Sequence, residues 1–212
     1  MNYPVLVLGA GGHAKVLIEA LLASSVEIFG VVDPNPALAG KVVQGVPVLG
    51  DDREVLMYPC DAVHLVNGLG SVGLPTRRQS LFEQFKVGGY VFATVVHPSA
   101  VVAADAQLGE GSQIMAGVVI QPGCRVGANA ILNTRASIDH DCCIGEHVHI
   151  APGSILSGNV SVGRSSHIGT GATIIQGINV GRHSVVGAGS VVLKNVPDGA
   201  TVYGVPAKVV YR

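Results

Sequence analysis

One stretch decides the fold of this chain: residues 138–156, which read IDHDCCIGEHVHIAPGSIL. An aliphatic residue stands there at every sixth position, and the same frame continues without a break in both directions. Its members are Val102, Leu108, Ile114, Ile120, Val126, Leu132, Ile138, Ile144, Ile150, Leu156, Val162, Ile168, Ile174, Val180, Val186 and Val192. A six-residue period predicts a parallel β-helix, in which each hexad supplies a short strand and a turn, and three hexads close one triangular coil.

The remaining hexad positions also fit a narrow coil. Position two, counted from the aliphatic residue, is often glycine, at Gly109, Gly127, Gly145, Gly163, Gly169, Gly181 and Gly187. Position five is small or aliphatic, as in Ala106, Ser112, Cys124, Ala130, Ala136, Cys142 and Ser154. We expect positions one and five to point inward, where aromatic rings do not fit, and no Phe, Tyr or Trp occurs between Phe92 and Tyr203. The frame predicts five coils, stacked at roughly 4.8 Å each into a prism of about 24 Å.

A change in residue usage divides the chain into two domains. The aromatic residues stop at Phe92, and no lysine occurs between Lys86 and Lys194. The junction is expected near His97-Pro98-Ser99, because proline and the residue before it disfavour a helix. We therefore predict an α/β domain over residues 1–95 and the β-helix with a C-terminal tail over residues 96–212.

The first domain alternates strands and helices, which predicts a parallel sheet. The expected elements are a strand over residues 3–8, a helix from Ala14 to Ala23, strands at Ile28–Val32, Val46–Leu49 and Ala62–Val66, and a helix over Thr76–Lys86. About 95 residues is short for the two mononucleotide halves of a dinucleotide-binding fold. A Rossmann-like half-unit that holds one mononucleotide is the expected architecture.

A glycine-rich turn connects the first strand to the first helix of this domain. Its pattern, Gly9-x-Gly11-x-x-Ala14, fits a phosphate-binding turn in which the helix N-terminus faces the anion. Asp33 ends the second strand, where a carboxylate can accept hydrogen bonds from a ribose or a base. The alternative is a tight strand-to-helix turn that needs its glycines for shape alone.

Composition excludes several classes of protein. The 212 residues carry a net charge of −1, with 48% hydrophobic and 13% charged side chains. Such a chain is not disordered, and it lacks the basic surface that nucleic acid requires. No apolar run approaches the roughly 18 residues of a membrane span, and the N-terminus does not resemble a signal peptide, so the cytoplasm is the expected location. The four cysteines show no disulfide framework.

The candidate chemistry lies in a polar group within the β-helix. In the hexad frame His140 and Asp141 occupy positions three and four, outward at a turn, and a histidine beside a carboxylate is a candidate general base. His149 at position six also points outward and stacks with His167 one 18-residue coil later. By the same spacing, His140 lies below Gly158, which leaves open space over its ring.

Other chemistry remains open for the same residues. The set His140, Cys142, Cys143, His147 and His149 resembles metal ligands by composition. Cys142 is expected inward, however, and the set is spread over several corners, whereas zinc sites favour closely spaced pairs. A cysteine nucleophile meets the same geometric objection. Histidines with a purely structural role are the remaining alternative.

An ordered set of motifs resembles a known family. The motifs are Gly9-Ala10-Gly11-Gly12-His13, His97-Pro98-Ser99-Ala100, Asn133-Thr134, Asp139-His140-Asp141-Cys142, Ile144-Gly145, His147-Val148-His149-Ile150-Ala151-Pro152-Gly153 and Gly204-Val205-Pro206-Ala207-Lys208. They resemble the bacterial sugar acetyltransferases of the sialic acid O-acetyltransferase type, which include N-acetyltransferases of UDP-4-amino sugars and of GDP-perosamine. The resemblance covers nearly the whole chain. It implies a left-handed β-helix, a homotrimer, acetyl-CoA as co-substrate and a nucleotide sugar held by the first domain. From the geometry of the candidate ligands given above, no metal is expected.

The resemblance also implies residue roles. His140 matches the catalytic base, and Asp141 matches the acid that adjusts it. Acetyl-CoA contacts are implied for His149, Gly158 and Ala188. Substrate contacts are implied for Gly11, Gly12, His13, Asp33, Gly68, Gly70 and Asn133. Relatives often carry a second acid after Asp33, and this chain has Pro34 there.

Three classes of function follow from these observations. The favoured one is acetyl transfer from acetyl-CoA to the amino group of a nucleotide-linked sugar, with O-acetylation of sialic acid or another sugar hydroxyl as its alternative. A nucleotide-binding oxidoreductase would explain the glycine turn and leave the β-helix unexplained. A silent scaffold would leave the His140-Asp141 pair as a coincidence.

Overall fold

The computed structural model describes residues 4–210 and contains an α/β domain followed by a left-handed parallel β-helix. The elements of the first domain are β1 (Val5–Leu8), α1 (Gly12–Ala23), β2 (Ile28–Val32), β3 (Val42–Val43), β4 (Val46–Gly50), β5 (His64–Asn67), α2 (Thr76–Val87) and β6 (Val91–Phe92). Short 3-10 helices at Pro36–Leu38 and Asp52–Met57 lie before β3 and after β4. Tyr3, at which we expect the first strand to begin, lies outside the described residues. In the part of the chain that the structure describes, no helix is long and apolar enough to cross a membrane.

The six strands form one sheet in the order β3-β4-β2-β1-β5-β6. Every pair is parallel except β3 with β4, which confirms the predicted parallel sheet. Strand β1 lies between β2 and β5 and is completely buried, because all four of its residues are apolar and both sheet faces are covered. In open α/β sheets, ligands bind at the carboxyl ends of the strands, at the point where the strand order reverses. In this sheet that point lies between β1 and β5.

The β-helix has three flat faces. Face 1 contains the strands Val95–Val96, Gln113–Ile114, Ile131–Leu132, His149–Ile150, His167–Ile168, Val185–Val186 and Thr201–Gly204, with Ala207–Val209 antiparallel at its end. Face 2 contains Val101–Val102, Val119–Ile120, Ser137–Ile138, Ile155–Leu156, Thr173–Ile174 and Val191–Val192. Face 3 contains Gln107–Leu108, Arg125–Val126, Cys143–Ile144, Ser161–Val162 and Asn179–Val180. On each face a strand pairs with the strand 18 residues later, as the hexad frame predicts, except at the end of face 1, where Val185 pairs with Thr201.

Positions one and five point inward, also as predicted. Ile138 and Ile150 at position one and Ala136 and Cys142 at position five are buried. Position four has a different role: from residue 111 to residue 189 each occurrence has a positive φ, between 52° and 76°. This left-handed residue turns the chain at each corner, and it is glycine at about half of the turns, because glycine adopts that conformation without strain.

The outward residues at position six differ among the three faces. On face 1 they are buried from Val95 to His149, because the first domain packs over them. On face 2 they include Val101 and Ile155, whose side chains are 63% and 48% exposed. On face 3 they are mostly polar and exposed, as at Arg125. The first domain therefore covers face 1 from Val95 to His149, and face 3 carries mostly polar side chains. Face 2 is uncovered, and four of its six outward residues are apolar: Val101, Val119, Ile155 and Val191.

Candidate functional site

A cavity of about 570 Å³ lies where the first domain meets face 1. Most of the sequence-predicted substrate residues line it, together with one predicted acetyl-CoA contact: Gly11, Gly12, His13, Gly68, Gly70, Asn133 and His149. Gly11 and Gly12 lie at the start of α1, after β1, and Gly68 and Gly70 lie in the loop after β5. Asn133 lies at the edge between face 1 and face 2. Residues from both domains thus surround one space.

The loops at this cavity approach each other too closely for side chains. A Cβ atom at Gly68 would lie 2.6 Å from the carbonyl oxygen of Leu8. Gly11 and Gly12 are exposed and border open space, and no side chain caps α1. The first N–H groups of a helix have no partner within the helix, and they favour an anion. The geometry suits a phosphate group at this point.

The carboxylate of Asp33 holds two backbone segments at the edge of this site. Its Oδ2 accepts a hydrogen bond from the N–H of Ala10 at 2.8 Å, and its Oδ1 accepts from the N–H of Asn35 at 2.9 Å. Both carboxylate oxygens are thus engaged by backbone, and Asp33 does not line the 570 Å³ cavity. Its expected contact with a ribose or base stays a prediction.

His149 is outward from the prism, as expected, but it is buried because the loop at Ser71 covers it. Its Nδ1 lies 2.9 Å from the carbonyl oxygen of Ser71, to which it donates, and its Nε2 lies 3.1 Å from Nδ2 of Asn133. Burial and the neighbouring His167 lower the pKa of His149 to about 3. The ring is neutral at working pH and holds Asn133 in place.

A second cavity, of about 610 Å³, continues from the first along the prism. Val72, His167 and Thr170 line both cavities, and Ala188 lines only the second. His167 stacks with His149 as predicted, with ring centroids 4.9 Å apart. The two spaces form one elongated groove over face 1 and its edge with face 2.

The pair His140 and Asp141 lies at the edge between face 2 and face 3. Nδ1 of His140 lies 2.8 Å from Oδ2 of Asp141, and both side chains are more than half exposed. The hydrogen bond to this carboxylate raises the pKa of His140. Asp141 adopts the left-handed conformation of position four, with φ of 60°, and the turn directs its carboxylate back toward the preceding ring. Nε2 is left free to take a proton.

Gly158 lies one coil above His140. A Cβ atom at Gly158 would lie 2.5 Å from both Cε1 and Nε2 of His140, so the imidazole occupies the space that a side chain would fill. We expected open space over the ring; instead the imidazole of His140 itself fills the space beside Gly158. Position three carries a side chain in the other hexads, so the missing side chain at Gly158 is specific to this contact.

His140 does not line either cavity of its own chain. The groove runs along face 1, whereas His140 lies at the opposite border of face 2. The candidate base and the candidate substrate groove of one chain are therefore separated by a whole face of the prism.

Cys142 is not placed for nucleophilic chemistry. Cys142 is buried as expected, its thiol donates to the carbonyl oxygen of Ser157, and burial raises its pKa to about 11. All four cysteines are free. Within residues 4–210, no group of three or more His, Cys, Asp or Glu residues is placed to hold a metal ion.

Sequence reasoning missed a buried polar network between the domains. Its members are Asn67, Arg78, Gln113 and Asn129. Arg78 is 1% exposed and donates to the carbonyl oxygens of Asn67, Leu69 and Asn129 at 2.7, 2.6 and 3.3 Å. It lies on a helix that reads as polar, so nothing in the local pattern marks it as buried. Gln113 does carry a signal, since it interrupts the apolar residues of face 1.

Comparison with known proteins assigns both domains. The PglD N-terminal domain family matches residues 4–85, and the bacterial transferase hexapeptide family matches residues 101–138. The chain is 39% identical over 115 residues to UDP-N-acetylbacillosamine N-acetyltransferase of Bacillus subtilis (strain 168). That alignment covers 53% of this chain and only about half, 51%, of the relative.

Solved structures of similar proteins extend over all or nearly all of the chain. A histidine-to-asparagine variant of perosamine N-acetyltransferase from Caulobacter crescentus, in complex with CoA and GDP-perosamine, is 39% identical, with a TM-score of 0.92 and coverage of 100% of this chain and 99% of that one. The acetyltransferase domain of PglB from Neisseria gonorrhoeae FA1090, in complex with acetyl coenzyme A, is 36% identical, with a TM-score of 0.90 and coverage of 99% and 100%.

Proposed function

The chain belongs to the family of bacterial sugar N-acetyltransferases that join a PglD N-terminal domain to hexapeptide repeats, and from this premise we propose that it transfers the acetyl group of acetyl-CoA to the amino group of a nucleotide-linked sugar. The observation that carries the proposal is the match over the full chain to a perosamine N-acetyltransferase with CoA and GDP-perosamine bound. The resemblance to sialic acid O-acetyltransferases enters only as a proposal about the acceptor, with O-acetylation of sialic acid as the alternative. The free cysteines fit a cytoplasmic location, where thiols stay reduced.

The nucleotide sugar is proposed to bind in the 570 Å³ cavity. Its phosphates would lie at the N-terminus of α1, near Gly11 and Gly12, where helix N–H groups favour an anion. His13, Gly68, Gly70 and Asn133 would surround the sugar, and Asp33 would support the glycine turn from beneath. Acetyl-CoA would follow the second cavity past Ala188 toward His149.

His140 is proposed as the general base. Its Nε2 takes a proton from the sugar amine as the nitrogen attacks the thioester carbonyl and forms the C–N bond of a tetrahedral intermediate. The C–S bond then breaks, and the imidazolium returns the proton to the leaving thiolate of coenzyme A. Asp141 holds the Nδ1–H and stabilises the imidazolium. A base placed in this way contributes on the order of 10²–10⁴-fold, and Gly158 leaves room for its ring.

The active assembly is proposed to be a homotrimer. Within one chain, the width of face 2 lies between His140 and the groove. That face is apolar and uncovered at Val101 and Ile155. Burying such a face against a second copy removes apolar surface from water. It also carries the His140 of one copy toward the groove of the next, so each site would be completed by two chains.

The test is thiol release from acetyl-CoA with three acceptors in parallel: UDP-4-amino sugars, GDP-perosamine and free sialic acid. Release with one nucleotide amino sugar supports the proposal and identifies the base of the nucleotide. Release only with sialic acid would favour O-acetylation and contradict the nucleotide role of the first domain. If none of the three acceptors causes thiol release and acetyl-CoA does not bind, the proposed enzymatic function is refuted and the scaffold alternative remains.

A further inference from the structure

Gln113 is an exception on face 1. It occupies hexad position six between Val95 and Ile131 on the neighbouring coils, and it is completely buried. A buried amide must have its hydrogen-bonding groups satisfied, or it destabilises the fold. Here the amide reaches out of the β-helix into the first domain. Its Nε2 lies 2.8 Å from the carbonyl oxygen of Asn67, and its Oε1 lies 2.8 Å from Nε2 of His13.

The chemistry of these partners leaves one direction for each hydrogen bond. The Asn67 carbonyl oxygen only accepts, so the Gln113 amide nitrogen must face it and donate. The Gln113 carbonyl oxygen, which therefore faces His13, also only accepts. Nε2 of His13 must consequently carry the hydrogen, and in a neutral ring Nδ1 then carries the free lone pair.

Burial and the charge of Arg78 keep the His13 ring neutral. Burial and then the nearby charge of Arg78 lower the pKa of His13 to about 4, against the opposite effect of the Gln113 hydrogen bond. Arg78 is itself held in place by the carbonyl oxygens of Asn67 and Leu69. His149 and His167, the other titratable groups that line this cavity, are neutral as well because burial lowers the pKa of each.

Nδ1 of His13 is the nitrogen left for a ligand. His13 lines the 570 Å³ cavity, and among residues 4–210 no hydrogen-bond partner reaches its Nδ1. A lone pair at this point can accept a hydrogen bond from an O–H or N–H group. It cannot bind a phosphate oxygen, which offers only lone pairs in return.

We propose that Gln113 is a positioning residue that holds His13 as the Nε2–H tautomer, so that Nδ1 accepts a hydrogen bond from a hydroxyl or amine of the bound sugar. The proposal rests on the proposed function for the identity of the ligand. Two parts of the cavity would then recognise different groups of the ligand. The glycine turn binds the phosphates through N–H donors, and His13 recognises a donor group on the sugar.

The first experiment reads the tautomer directly in the full-length chain. Long-range ¹H–¹⁵N spectra of protein labelled with ¹⁵N-histidine distinguish the two neutral tautomers, and the His13 signals are assigned by their loss in His13→Asn. The expected result at pH 7 is a protonated Nε2, and addition of the accepted nucleotide sugar shifts Nδ1. A protonated Nδ1 in the unbound protein would overturn the proposal.

The second experiment changes Gln113. Gln113→Met keeps the length and the burial but removes the hydrogen bonds, and Gln113→Glu draws a proton onto His13 and turns Nδ1 into a donor. We expect the KM for the nucleotide sugar to rise at least tenfold in both variants, more in Gln113→Glu, while the KM for acetyl-CoA stays within twofold. Gln107→Met, an exposed glutamine at position six of face 3, is the matched control.

The outcomes separate the two proposals. An unchanged KM in a folded Gln113→Met variant would overturn the positioning role, as would retention of the Nε2–H tautomer in that variant. A wild-type protein that releases no thiol would refute the proposed function, and the tautomer spectra, which need no turnover, would still decide the role of Gln113. Melting temperature and oligomeric size identify a variant that fails to fold, and the spectra of the wild type then decide.

Discussion

Two places on the same β-helix use histidine in opposite ways. At the edge between face 2 and face 3, His140 is half exposed and paired with the Asp141 carboxylate, and its pKa is raised. Beneath the first domain on face 1, His149 is buried against a backbone carbonyl and an amide, and its pKa is lowered to about 3. One ring is suited to moving a proton and the other to holding a fixed hydrogen-bond geometry. The surroundings decide the chemistry, and the residue type alone does not.

Removal of His140 tests the comparison most strongly. We expect His140→Ala to lower kcat by about 10²–10⁴-fold, because a general base contributes on that order, and to leave oligomeric size and melting temperature unchanged, because the side chain is exposed. Steady-state kinetics and gel filtration measure both. Glu146→Ala, at position three of the next hexad and also exposed, is the control. Turnover near the wild-type value would remove His140 from the mechanism.

Gly158→Ala tests whether the position of the His140 ring matters. The added Cβ would lie 2.5 Å from the ring, so the imidazole must move, and we expect kcat to fall by about 10- to 100-fold. Alanine at position three is tolerated elsewhere in the repeat, as at Ala116 and Ala128, so the backbone is not strained. In a His140→Ala background the same change should have little further effect. Additive losses in this double-mutant cycle would show that Gly158 acts without His140.

Asp141→Asn should reduce the difference in pKa between His140 and His149. The carboxylate raises the pKa of His140, and a base works only when unprotonated, so wild-type activity falls as the pH drops through that raised pKa. Without the charge the pKa falls toward its ordinary value, and the acidic limb of kcat/KM should move to lower pH. We also expect kcat to fall about tenfold, since the base weakens and loses its orientation. A pH–rate profile with an unmoved acidic limb would separate Asp141 from His140.

Acid should destabilise the protein through the buried histidines. His13 and His149 have folded pKa values of about 4 and about 3, below the unfolded value of 6.5, so the unfolded state binds more protons below pH 6.5. Stability is fully present above pH 6.5 and is lost as the pH falls toward 4. The His13 shift corresponds to about 3 kcal/mol at most. Denaturant unfolding at pH 7 and pH 5 measures the loss, and in His13→Asn it should be smaller.

The sequence predicts the features that depend on local repetition. The hexad frame places an inward residue at Cys142, the His149–His167 column and the outward turn of His140, because a constant period of 18 residues per coil carries each position onto the next. Four strands and both helices of the first domain are likewise predicted within a few residues, since buried apolar runs and a glycine turn are local signals, whereas the two-residue strands β3 and β6 are not predicted.

Contacts between the domains could not be predicted in this way. The burial of His149 depends on a loop at Ser71, which is 78 residues away in the chain. Arg78 lies on a polar helix, and its burial follows only from the packing of that helix against Asn129. Asp33 is at the expected strand end, but its carboxylate turns toward backbone N–H groups. Periodicity cannot show such meetings between distant segments.

The constant length of the coil has a consequence for how this molecule can change in evolution. Each coil stacks on the next with the same 18-residue offset, from Val95 pairing with Gln113 to His167 pairing with Val185. Deleting or inserting one hexad would exchange the three faces for every residue beyond it, and would move His140 or Ala188 to a different side of the molecule. Only whole coils can be gained or lost without that exchange. The groove can therefore lengthen or shorten only in steps of roughly 4.8 Å, the height of one coil. The length of ligand that fits along the groove changes in the same steps.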